Sequence, residues 1–298
     1  MKPKHVNITN EHTGQIVAAF GRSYLIQTMG GLFSCVPRGK KSIFACGDWV
    51  NLDETGDHEG VITSVRERST LLLRSAAHRH KLIAANATQV AIIVASDPSF
   101  SDELVARILV AAESAGMESI IILNKSDLEE KSIAARQRLE PFAKAGYKVL
   151  SLSAKNDINP MLPVLYGNMT VFIGQSGMGK STLVNALIPG TNAATREIST
   201  FLASGKHTTT NARLYRLNED STVVDCPGLQ EFGLAHLDWR EIASGFREFS
   251  PFAGQCRYPD CRHLTEPGCS IAAATTLGTI HERRLELYRR IITAEGAR

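Results

Sequence analysis

The sequence predicts an α/β phosphate-loop (P-loop) domain set between a small N-terminal β-barrel of OB-fold type and an α-rich C-terminal segment organised by a metal ion. Three observations carry that expectation. The stretch Gly174-Gln-Ser-Gly-Met-Gly-Lys-Ser181 follows the apolar run Val171-Phe-Ile173 and leads into Thr182-Leu-Val-Asn-Ala-Leu187, the strand, glycine loop and helix of a phosphate cradle. Ahead of it, residues 1–75 break into about five short β-type runs punctuated by glycine, which suits a small closed barrel. Behind it, Cys256, Cys261, His263 and Cys269 crowd into one short segment. The expected domains are therefore 1–75, 76–238 and 239–298.

The 298 residues leave room for this division, and a net charge of +3 permits a polyanionic partner without demanding one. No apolar run approaches the roughly 18 residues of a membrane span. Met1-Lys-Pro-Lys-His-Val6 has no apolar stretch behind its positive charges, so neither a membrane nor a secretory destination is expected and the chain reads as cytoplasmic.

In the N-terminal part the β-type runs are Gln15–Phe20, Ser23–Thr28, Leu32–Val36, Asp48–Leu52 and Gly60–Val65. Gly21-Arg22 and Met29-Gly30-Gly31 are the breaks between the first three. Arg38, Lys40 and Lys41 share one loop, and Arg66, Arg68, Arg74 and Arg79 follow the last run. Charge alone fits a face that tracks phosphates and fits a solvated barrel surface equally well.

The middle of the chain alternates strand and helix. Val90–Ala95 is a continuous apolar run of buried parallel type. Ser101-Asp102-Glu103 opens a helix that Gly116 ends. Ser119–Leu123 then runs directly into Asn124-Lys125-Ser126-Asp127 and, one helix later, Lys148–Leu152 runs into Ser153-Ala154-Lys155. A carboxylate at Asp127 can accept hydrogen bonds from guanine N1–H and the 2-amino group, a donor pair adenine lacks. Asn124, Lys125 and Ser126 would order that loop and cover the base. Ser153, Ala154 and Lys155 form the companion loop, with a backbone amide for guanine O6. In the glycine loop the amides of Gly174, Gln175, Ser176, Gly177, Met178 and Gly179, continuing into the helix at Lys180, Ser181 and Thr182, face the phosphates. Lys180 reaches the β- and γ-phosphates and Ser181 holds Mg²⁺.

Two switch-like segments follow. Lys206-His-Thr-Thr-Thr210 offers a threonine for Mg²⁺; alignment of Thr-Thr pairs in related GTPases favours Thr209, with Thr208 and Thr210 as alternatives. Thr222–Asp225 is a strand ending in Asp225-Cys226-Pro227-Gly228. There Asp225 would hold the Mg²⁺ shell through water, and the Gly228 amide would sense the γ-phosphate. The guanine-reading loops precede the phosphate loop, the reverse of the Ras-like order. A circular permutation explains this, joined through residues 156–168 and opened just after Gly228.

Cys256-x₄-Cys261-x-His263-x₅-Cys269 supplies a donor set that fits closed, structural Zn²⁺. The tail from Thr279 to Ala294 reads as a helix with Ile280, Leu287, Tyr288 and Ile291 along one side. Its Arg283, Arg284, Arg289 and Arg290 suit either rRNA or solvent.

Together the barrel, the permuted nucleotide domain with its quoted motifs and the cysteine–histidine cluster resemble the RsgA (YjeQ-type) small-ribosomal-subunit-dependent GTPases over essentially the whole chain. The resemblance implies an OB-fold, a circularly permuted α/β P-loop GTPase domain and a zinc domain. It implies a monomeric hydrolase of GTP acting in late maturation of the small ribosomal subunit, with rRNA contacts from the flanking domains. Cys226 replaces the usual threonine of Asp-Thr-Pro-Gly. Leu229 stands where Ras-type enzymes carry the water-orienting glutamine, and Gln230 is one residue too far. His236 is the histidine close behind, either a water-positioning catalytic residue or a packing residue. Two other readings stay open: a permuted GTPase for another RNA–protein assembly, and a guanine-nucleotide-gated RNA-binding module with negligible catalysis.

Overall fold

The structure is a computed structural model that describes residues 11–39, 43–76, 79–188, 190 and 212–296. Lys40, Lys41 and the threonines Thr208, Thr209 and Thr210 lie outside the described residues.

Strands β1 (Glu11–Phe20), β2 (Ser23–Thr28), β3 (Gly31–Pro37), β4 (Trp49–Gly56) and β5 (Glu59–Val65) close a barrel in the order β1-β2-β3-β5-β4, with β4 returning to β1. All pairs are antiparallel except β3 with β5. Closure removes free edges. Alternation along each strand sends Ile16, Tyr24, Ile26, Phe33, Cys35, Val50, Leu52 and Ile62 into one core. Asp48, fully buried beside that core, accepts two 2.7 Å bonds from Arg68 and one from the Ala45 amide. Arg68 therefore leaves the pool of phosphate-facing cations: it neutralises a buried carboxylate.

A hairpin the sequence did not announce follows, β6 (Leu71–Ala76) with β7 (Arg79–Ala85), forming its own two-stranded sheet across position 75. Next come β8 (Gln89–Ala95), α1 (Asp102–Ser114), β9 (Glu118–Asn124), α2 (Glu129–Lys144) and β10 (Lys148–Ser151). The expected join carries a short 3₁₀ turn and α3 (Leu162–Leu165), and leads to β11 (Met169–Gly174), α4 (Lys180–Leu187), β12 (Arg213–Arg216) and β13 (Thr222–Asp225). The sheet order β10-β9-β8-β11-β13-β12 places the phosphate-loop strand β11 between β8 and β13, parallel to both. Spatial order thus ignores the altered chain order, as a permutation requires. Only β12 is antiparallel, on β13, and it bridges to β1 at Ala18 and Arg213, joining sheet and barrel.

The C-terminal part contains α5 (Trp239–Ser244), a 3₁₀ turn at Arg247–Phe252, α6 (Ser270–Thr276) and α7 (Glu282–Glu295). Leu285, Leu287, Tyr288, Ile291 and Ile292 bury the apolar side of α7. Three of its arginines do not form an open basic face. Arg283 pairs with Asp102 of α1, Arg284 with Glu248, and Arg289 donates to the His263 carbonyl at 3.2 Å. Arg290 stays exposed. Arg284 is only 1% exposed, and its guanidinium lies over the Phe142 and Phe246 rings, clamping α7 to α2 and to the turn that follows α5. No helix among the described residues is long and apolar enough to cross a membrane.

Candidate nucleotide site and metal centre

The phosphate loop, the Asn-Lys-Ser-Asp loop and the Ser-Ala-Lys loop sit at the carboxyl ends of β11, β9 and β10, where a parallel sheet opens a crevice. Asn124, 1% exposed, ties them together. Its Nδ2 donates to the Met178 carbonyl at 3.0 Å, and its Oδ1 accepts the amides of Lys125 at 2.8 Å and Ala154 at 2.9 Å. Of the companion-loop amides considered for guanine O6, that of Ala154 is thus engaged by Asn124. Lys125 adopts φ +59° and sends Nζ to the carbonyls of Asp97 and Gly177, at 2.6 and 2.9 Å. That contact lays its stem beside the phosphate loop. Asp127 is exposed. The Ser153 hydroxyl, its own backbone amide and the charges of Lys155 and Lys125 hold its carboxyl below the usual range, so it meets a base as an anion.

In the phosphate loop, Gly179 has φ +81° and a Cβ there would lie 2.3 Å from Asn124 Nδ2. Glycine is the residue that both the conformation and the close approach allow. Lys180, 8% exposed, pairs with the Asp225 carboxylate. The Gly228 backbone packs on the loop so tightly that a Cβ would stand 3.1 Å from the Ser176 amide nitrogen. The Leu229 amide donates to the Gly174 carbonyl at 3.0 Å. Gln175 accepts the Ser101 amide at 2.7 Å, linking loop to α1. A cavity of about 470 Å³ opens here, lined by Lys125, Lys155, Gln175, Ser176, Gly177, Gly179, Lys180, Ser181, Thr182 and Gly228. Ten of the residues named from the sequence thus line one cavity, and Asn124 and Asp225 are bonded to its phosphate loop.

His236 does not join them. It is half-buried, its Nδ1 lies 2.7 Å from the Ser75 hydroxyl on β6, and its ring meets His80 edge-on at 6.4 Å. Burial, with His80 as a further cause, holds its pKa below the ordinary 6.5. Ser75 escaped the sequence reading, and no local pattern marks a partner 161 residues away.

At the C-terminus the donor atoms of Cys256, Cys261, His263 and Cys269 all lie within 4.8 Å of one another. His263 Nδ1 stands 3.5, 3.6 and 3.4 Å from the sulfurs of Cys256, Cys261 and Cys269. A tetrahedral zinc with ordinary bond lengths sets nitrogen and sulfur about 3.6 Å apart. The set fits that ion. The Ser270 and Ala272 amides point at the Cys256 and Cys269 sulfurs, as donors that steady metal-binding thiolates do.

A model of the RsgA GTPase family matches residues 65–235. A relative named small ribosomal subunit biogenesis GTPase RsgA, from Nitrosospira multiformis, is 50% identical over 94% of this chain and 90% of its own length. The chain belongs to the RsgA GTPase family. It is a circularly permuted GTPase. Relatives of the same name from Nitrosomonas europaea and Burkholderia pseudomallei are 47% and 46% identical over 94% of this chain and 90% and 91% of their own. The crystal structure of YjeQ from Thermotoga maritima is 29% identical with a TM-score of 0.73, covering 97% of this chain and 99% of that one. A structure titled YloQ, a circularly permuted GTPase, has a TM-score of 0.69 at 24% identity, covering 99% and 98%, a likeness of fold.

Proposed function

We propose that this chain hydrolyses GTP to GDP and phosphate as a late maturation factor of the small ribosomal subunit, with turnover stimulated by that subunit. The observation that carries the chemistry is Asn124, which joins both base-facing loops to the phosphate loop and leaves the Asp127 carboxylate open to guanine. The ribosomal partner rests on relatives that carry that role in their names.

In this reading the Lys180–Asp225 pair stores the site's charges against each other until nucleotide arrives. Lys180 then turns to the β- and γ-phosphates. Mg²⁺ entering with the nucleotide would be held by the hydroxyls of Ser181 and Thr209 and through water by Asp225, and would neutralise phosphate charge. Leu229, buried and tied to Gly174, offers no polar atom to orient water, so unaided turnover is slow. His236 is the water-positioning residue, Nε2 being the nitrogen not held by Ser75. Zinc at Cys256, Cys261, His263 and Cys269 is structural and sets the fold of 239–298. Residues 1–75 and 239–298 are the rRNA-contacting domains around the GTPase domain 76–238, in a monomeric, cytoplasmic protein without membrane attachment.

The test is phosphate release from GTP with and without purified small subunits. Strong stimulation by small subunits alone supports the reading. Stimulation only by another particle, or turnover that no particle changes, removes it. The His236→Ala variant should lose stimulated turnover and keep its GTP affinity.

A further inference from the structure

The region behind the second switch is held in a way that the nucleotide site does not require. Hairpin β6–β7 runs beside residues 231–236 and binds them through polar contacts. The Ser75 amide donates to the Gly233 carbonyl at 2.9 Å, and Arg74 Nη1 donates to the Glu231 carbonyl at 2.8 Å. Ser75 and Leu234 form an isolated parallel bridge. The Ser75 hydroxyl, on a residue 1% exposed, engages His236 Nδ1. Phe232 and Leu234 anchor the same segment in the core, at 1% and 0% exposure. Beside this contact opens a cavity of about 610 Å³, walled by Arg74, Ser75, Gln230, Gly233 and Arg107. Leu72, Ile83 and Ala84 root the hairpin in the same core as Phe232 and Leu234, and at its edge a few hydrogen bonds tie it to the segment behind the switch, beside open space. Of these, the Ser75–His236 bond is a single side-chain contact that can exchange without moving the buried hairpin residues, and one such bond contributes little net stability.

We propose that Ser75 is a positioning residue that keeps His236 turned from the phosphate cavity, so that the hairpin acts as a latch on hydrolysis. The inference rests on the proposed role of His236. While Nδ1 is bound to Ser75, the ring is anchored on the hairpin, and none of its atoms lines the cavity around Lys180 and Gly228. For Nε2 to reach an attacking water, that bond must break. Whatever breaks that bond frees the histidine.

The experiment uses the full chain and compares Ser75→Ala with Ser75→Thr, which keeps the hydroxyl. Ser75→Ala should raise kcat for GTP without small subunits by about five- to tenfold, the equivalent of one hydrogen bond. KM should be unchanged and the fold-stimulation by subunits compressed. Ser75→Thr should behave as the parent. Adding His236→Ala to Ser75→Ala should abolish the gain. Nitrogen-15 NMR of the imidazoles gives a readout apart from turnover: the His236 Nδ1 resonance should move in Ser75→Ala and not in Ser75→Thr. Arg74→Met, which loosens the same latch without touching the buried hydroxyl, should raise unstimulated kcat in the same direction and decides the matter should Ser75→Ala unfold.

Unchanged or lowered kcat in Ser75→Ala, or a gain that survives His236→Ala, overturns the latch. The two readings fail separately. Stimulated turnover that persists in His236→Ala removes the histidine's role itself. If that turnover is lost while unstimulated kcat stays flat in Ser75→Ala, only the latch is removed.

Discussion

Asp127 combines an exposed carboxylate with a local field, led by the Ser153 hydroxyl, that keeps it ionised. In the proposed site its two oxygens would accept from guanine N1–H and the 2-amino group, and an amide in its place could accept only once and would aim donors at the other position. Xanthine offers an oxygen there. Asp127→Asn should therefore weaken GTP binding by at least about tenfold, the cost of mispairing a charge-assisted bond, and bring xanthosine triphosphate to comparable or better affinity. Competition with a fluorescent guanine nucleotide measures both. Equal loss for the two nucleotides would mean that Asp127 orders the loop and does not read the base.

At the scale of elements, α7 shows why basic residues on a helix do not by themselves mark a nucleic-acid face. Arg284 is buried on Glu248, whose side chain is 10% exposed, between the Phe142 and Phe246 rings. Removing one partner leaves a buried charge alone, and such losses run to about 3–5 kcal/mol. Arg284→Met should lower the stability of the C-terminal part by that order, seen as an earlier denaturation midpoint. Arg284→Met with Glu248→Leu should recover most of the loss, because the second charge is then gone as well. The hairpin makes the complementary point: Arg74 and Ser75 hold the segment behind the second switch through backbone carbonyls and one imidazole, so this short element bears on residues distant in sequence.

Across the whole molecule, the cysteine–histidine segment and the GTPase domain share α1. Its Asp102 and Arg107 pair with Arg283 and Glu295 of α7, and Glu113 pairs with Arg247. The loop before α1 meets the phosphate loop through Ser101 and Gln175. Metal binding in so small a segment supplies folding energy. Stripping the ion with a strong chelator should loosen residues 239–298. Trp239, 7% exposed and lying under the Arg240 and Arg262 guanidinium groups, should then red-shift its emission. A Trp49→Phe background isolates that signal. GTP affinity should change by less than about threefold, since the loops tied by Asn124 do not touch the metal, while stimulation by the small subunit is lost. An unshifted Trp239 would mean that the segment folds without the ion.

The sequence by itself determined the site wherever the chemistry is local. The glycine loop, Asn124–Asp127, Asp225–Gly228 and the cysteine–histidine spacing could be read because each motif fixes its own backbone conformation within a few residues. Their order was enough to show the permutation, and about five short strands punctuated by glycine to suggest the barrel. What only the tertiary structure decided are contacts between residues far apart in the chain. Arg68 reaches the buried Asp48, Arg284 the buried Glu248, the Ala154 amide turns to Asn124, and His236 is held by Ser75. The hairpin from Leu71 to Ala85 belongs with these, because its short apolar runs acquire meaning only against the second switch. The physical reason is the same in each case. Charge and hydrogen-bonding capacity are properties of a residue, but which partner satisfies them depends on packing, and packing is settled only when the whole chain has folded.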